Sequence, residues 1–143
     1  MNAYRSIVLL AAILGLCACG SDKDDDKDSD EDSEDVGPPS GAVCPTGSTV
    51  TFDKDIQPII TMYCIRCHSV NVPAAQRMGA PSDHNFDTEQ GVLDAAKHID
   101  ESAAAGPNAT NTMMPPNGAA PSLEERQKLG EYLACHAAAD AGT

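Results

Sequence analysis

The pentapeptide Cys64-Ile65-Arg66-Cys67-His68 sets two thiols three residues apart and an imidazole directly beside the second. Residues spaced this way on a helical turn lie on one side of the backbone, so the three groups act as a unit. The element that carries them is therefore the first question about the fold. Upstream, Phe52, Ile56, Ile59, Ile60 and Tyr63 recur at offsets of 4, 7, 8 and 11, which is one helix face. With Asp55 as cap, Pro58 falls in the first turn, where a missing N–H breaks no intrahelical bond. One helix over 54–67 is predicted, with the pentapeptide at its C-terminal end.

Two more helices follow. One opens at Asp87-Thr88-Glu89, carries Val92, Ala95, Ala96 and Ile99 on one side, and ends near 105–107. The other opens with Ser122 and Glu125 as a capping box, runs to about 137, and has Leu129, Tyr132 and Leu133 as its apolar face. No alternating strand pattern and no repeat is present. The fold class is all-α: a small domain of three main helices joined by long loops. Loops of the length of 68–86 and 106–121 are uncommon in so small a domain and need a reason. The core offers little to hold them, with two Phe, three Tyr and no Trp in 143 residues. A large prosthetic group would give such loops an apolar surface to wrap.

The first residues, MNAYRSIVLLAAILGLCACG, carry one positive charge at Arg5 and then an apolar run over 7–16, the layout of an export signal and too short to span a bilayer. The run ends in Leu16-Cys17-Ala18-Cys19, with Leu16 three places before Cys19 and small Ala18 just before it. That resembles a bacterial lipobox, so 1–18 is read as a signal peptide and Cys19 as the lipidated residue. Cys17 fits less well, because bulky Leu16 would occupy the cleavage position. Residues 22–35 hold ten acidic residues and two Lys, which is −8 of the net −13 charge. Such a run repels itself and has no face to bury, so 19–43 is read as a lipid-anchored, disordered acidic tether. From residue 20 it would reach about 80 Å when extended. The folded domain is placed at 44–143, with Ala-rich 137–143 as a frayed tail. Localisation is outside the cytoplasm, on a membrane facing the periplasm or the cell surface. The acidic balance offers no basic surface for nucleic acid. Asn108-Ala109-Thr110 matches a glycosylation acceptor only by composition in such a chain.

Four of the six cysteines remain in the domain. Cys64 and Cys67 belong to the motif, which leaves Cys44 and Cys135, and an oxidising compartment favours their pairing. Such a bridge would tie the two ends of the domain together.

Three chemistries use the motif. A redox dithiol sits where a strand feeds a helix in a βαβ frame, and no such frame is read here. A zinc site needs a second Cys or His pair, whereas His84, His98 and His136 are scattered singly. Haem attachment uses all three groups, with Cys64 and Cys67 adding to the two porphyrin vinyl groups and His68 reaching the iron. A candidate for the sixth iron position is Met113-Met114-Pro115-Pro116, a proline-stiffened segment just before the last helix. A thioether is a soft neutral ligand that favours ferrous iron.

With CIRCH, a Met-Pro-Pro loop and a final helix in this order, residues 50–137 resemble a small monohaem class I cytochrome c. The resemblance implies N- and C-terminal helices packed together around one covalently bound haem c. It implies thioether bonds at Cys64 and Cys67, His68 as proximal ligand and Met114 as distal ligand; adjacent Met113, a His such as His98, or an open site are the alternatives for the distal position. Tyr132 stands where many relatives place Trp. Function follows as one-electron transfer to redox partner proteins, with no catalytic residues and no enzyme activity. Two alternatives stay open: a haem-based ligand-binding or sensor module with a displaceable Met114, and an electron-entry subunit of a periplasmic dehydrogenase complex.

Overall fold

The computed structural model describes residues 36–137. Residues 1–18, read above as a signal peptide, Cys19, residues 19–35 of the expected tether and residues 138–143 lie outside the described residues. Among the described residues the fold is all-α, with no strand and only an isolated bridge between Ala105 and Thr110.

The first helical segment departs from the single helix expected over 54–67. A wide π-helical turn, Phe52–Ile56, leads into helix α1, Gln57–Tyr63. Asp55 is not the cap. Its carboxylate accepts from the Thr51 backbone N–H at 3.0 Å, because a widened turn brings the fourth residue, not the third, back over the N-terminus. Pro58 sits in the first turn of α1, where its missing N–H is harmless. The helix stops at Tyr63, before the motif. The Ile65 N–H bonds the Ile60 carbonyl and the Cys67 N–H bonds the Cys64 carbonyl, so the regular spacing is lost. Downstream, Phe86 N–H takes the His68 carbonyl and Arg77 takes that of Ser69, which diverts the chain out of a helix.

After a 3₁₀ turn at Ala74–Gln76 come α2, Glu89–Asp94, and α3, Ala96–Ala103. Thr88 caps α2 by accepting from the Gly91 N–H. The single helix expected here is broken at Ala95, whose φ of −102° and ψ of 16° leave the helical region. No Gly or Pro marks the break. Both Ala95 and Ala96 face the core, so a kink there keeps the two short helices on one apolar surface. Helix α4, Leu123–His136, has the expected capping box between Ser122 and Glu125.

The core joins the π-turn to α3 and α4. Tyr132 of α4 is fully buried, tilted against Phe52 with ring centroids 6.0 Å apart and stacked on His136 at 4.5 Å. Its hydroxyl donates to Glu89, and burial together with that carboxylate raises the phenol's pKa. Ile56, Ile60, Val92, Ile99 and Leu129 fill the space around them.

The folded part reaches upstream of the expected start at Cys44. Residues 36–43 lie against α3 as a strap: the Gly37 N–H donates to the Glu101 carbonyl at 2.8 Å and Ser40 donates from its backbone and hydroxyl to Asp100. Asn108 and Ala109 N–H groups return to the Ser40 carbonyl. The strap and the turn at Ala105 both pass close to α4: a Cβ on Gly130 would lie 3.0 Å from Ala42 Cβ of the strap and 2.7 Å from the Ala105 carbonyl oxygen. Beyond it, Cys44 and Cys135 form the expected disulfide.

Candidate functional site

A cleft of about 270 Å³ opens between the turn after α1, the 69–86 loop, α3 and the 111–121 loop. Cys64, Cys67, His68 and Met114 all line it. Much of the remaining wall is apolar, from Ile60, Tyr63, Phe86, Ile99 and Ala103. The haem-site candidates of the sequence thus share one cavity, apart from Met113, which lies off it; Met113 and Met114 are both exposed, at 42% and 39%. His84 and His98 line the cleft as well, with ring centroids 4.9 Å apart. His136 stacks on Tyr132 instead. No group of three His, Cys, Asp or Glu side chains among the described residues is arranged to hold a metal by itself.

His68 is fixed by its surroundings. Its ring lies parallel to Phe86, with centroids 4.4 Å apart and planes 7° from parallel. Nδ1 is 3.2 Å from the His84 carbonyl. A carbonyl only accepts, so Nδ1 carries the proton and Nε2 keeps its lone pair for a ligand or metal. Burial lowers the imidazole's pKa; the hydrogen bond to His84 opposes that, while the charges of His84 and Arg77 add to it. The ring is neutral near neutral pH.

Cys64 and Cys67 are free thiols, and burial pushes Cys64 up to about 11 against the opposing pull of Arg126. A redox dithiol depends on a thiol pKa lowered toward or below neutrality. The environment of Cys64 does the reverse.

Met114 is held from both sides. Its N–H donates to the Ser102 carbonyl of α3 at 2.9 Å, and its carbonyl accepts from Arg126 Nη1 of α4 at 3.0 Å. Pro115 and Pro116 line the cleft behind it, and the Met114–Pro115 peptide is cis. Arg66, a variable position of the motif, donates to the Asn117 carbonyl and so ties the motif to the Met114 loop.

Two buried arginines were not singled out in the sequence. Arg126 donates to the carbonyls of Pro121, Ala103, Asn111 and Met114. Its signal was its position on the α4 stripe, three and seven residues before Leu129 and Leu133. Arg77 lines the cleft and donates to five acceptors in its own loop. A lone Arg in a polar loop gives no such signal.

The arrangement defines an all-α protein with one apolar cleft that gathers two thiols, an oriented imidazole and a thioether. In comparisons with known proteins, no family model, no curated protein and no solved structure matches this chain.

Proposed function

We propose that the chain is a monohaem c-type cytochrome, an electron carrier held at a membrane by a lipid on Cys19. The observation that supports this is the convergence of Cys64, Cys67, His68 and Met114 on one apolar cleft, with the His68 Nδ1–H already engaged. The residues fit the group. Cys64 and Cys67 would hold a porphyrin through thioethers, and His68 Nε2 and the Met114 sulfur would ligate its iron. Bound there, the haem would supply a one-electron Fe(III)/Fe(II) couple, its potential raised by the thioether. The apolar walls would lower the polarity around the metal, and Arg126 and Ser102 fix the Met114 backbone at the cleft.

With His68 and Met114 as its ligands the iron would have no open position for a substrate, and electron exchange would be the remaining chemistry. The packing of the Phe52 turn against Tyr132 supports a cytochrome c-like wrap in which the N- and C-terminal helices meet. Residues 36–143 carry six basic and twelve acidic side chains, which favours a redox partner with a positive rim.

The test is spectroscopic. Chain matured in a periplasm with c-type haem attachment should keep its haem after denaturation and solvent extraction. Ferric protein should show a sulfur-to-iron charge-transfer band that disappears in Met114→Ala, and reduced wild type should bind no CO. Ready CO binding by the wild type would favour a sensor, and extractable haem would sink the reading.

A further inference from the structure

The His84 carbonyl serves two donors. His68 Nδ1–H reaches it at 3.2 Å and Arg77 Nη2–H at 2.8 Å. The guanidinium bond is the shorter and is charge-assisted, so it polarises the carbonyl more strongly than the imidazole does. Arg77 is only 6% exposed and is held by the Ser69 and Pro81 carbonyls, the Asn85 side-chain oxygen and the Ala80 carbonyl besides. All of these partners are neutral. Among the described residues no carboxylate lies within ion-pair distance of it. The turn that follows is built for this pose, with Met78 at φ 55° and Gly79 at φ 90°, a left-handed pair that reverses the chain behind the guanidinium.

We propose that Arg77 is a positioning residue for the proximal imidazole, which it keeps a weak, neutral donor through the shared His84 carbonyl and so raises the reduction potential. This rests on the haem reading above. A strong outer hydrogen bond makes a ligating imidazole more basic and favours the higher oxidation state. Arg77 competes for the same acceptor and leaves the His68 bond long. Its positive charge, which also acts on the Asp87 carboxylate, disfavours the added positive charge of ferric iron. The two effects have the same sign.

Spectroelectrochemical titration of the haem-loaded full chain tests this with three variants. Arg77→Gln should shift the one-electron equilibrium toward ferric by about tenfold, which is about 59 mV. Its reduced form should show the His68 Nδ1–H proton resonance downfield of wild type, as the bond to His84 shortens. Arg77→Lys, which keeps the charge, should shift the equilibrium less. Asn85→Asp keeps an acceptor for Arg77 but sets an anion against it, and should lower the potential with the loop intact. Should Arg77→Gln fail to fold, Asn85→Asp decides. Unchanged potentials in variants that retain the Met–iron band overturn the inference alone. A wild-type chain that carries no covalent haem overturns the haem reading and this inference together.

Discussion

Arg126 shows how much one side chain can organise here. It is 3% exposed, and its guanidinium supplies Ala103 and Asn111 at 2.7 Å and Met114 at 3.0 Å, joining α3, the Met114 loop and α4 at a point. Arg126→Met keeps the apolar stem but leaves these carbonyls without a donor, and should cost about 3 kcal/mol in urea unfolding. Asp87 ties the other loop. It accepts from Ser69 Oγ at 2.6 Å and Val70 N–H at 2.8 Å, and the Ser69 bond foremost holds its carboxyl below the usual range. A carboxyl whose folded-state pKa is depressed stabilises the fold fully above the unfolded value and loses that contribution as pH falls through the folded one. Thermal midpoints of wild type should therefore fall more steeply on acidification, between about pH 5 and pH 2, than those of Asp87→Asn. Equal slopes would refute the assignment. The gathering of Cys64, Cys67, His68 and Met114 at one cleft was foreseeable because their residue types are distinctive. The arginines were not, because burial gives them their roles and an Arg in isolation reads as solvated.

The helices divide between those the sequence defined well and those that contacts redirected. The last helix was legible to within a residue, since Ser122 and Glu125 satisfy its first donors locally. The first was misread at both ends. Its opening turn is widened, and past Tyr63 the Ile65 and Cys67 N–H groups take the Ile60 and Cys64 carbonyls out of α-helical register, a departure that periodicity cannot carry. The break at Ala95 is of the same kind, because four apolar residues at helical spacing describe a bent pair as well as a straight helix. Close approach gives the element-scale prediction. Gly130→Ala places a methyl 2.7 Å from the Ala105 carbonyl, and should destabilise by about 1–3 kcal/mol by overpacking although Ala is the better helix former. A rise in the melting temperature would show that the Ala105 backbone yields.

The molecule as a whole is a small core with long loops held mainly by hydrogen bonds from a few buried side chains. The all-α class and the Cys44–Cys135 bridge were legible from composition and cysteine sorting. The strap over 36–43 was not, because Gly-Pro-Pro-Ser-Gly reads as linker and its partners Asp100 and Glu101 are far along the chain. The bridge spans a sequence separation of 91. Replacing both cysteines with Ser should lower stability by about 4–5 kcal/mol on the chain-entropy model, measured by denaturant titration without reductant. A loss under about 1 kcal/mol would mean that the unlinked chain stays compact. The same bridge also has a mechanical meaning. For a pull between the two ends of the chain, the tension passes along the strap to Cys44, across the sulfurs to Cys135 and out through the last turn of α4. The covalent segment between those cysteines, with Cys64, Cys67, His68 and Met114, lies off that load path and meets it only through the hydrogen bonds of the strap to α3 and packing against α4.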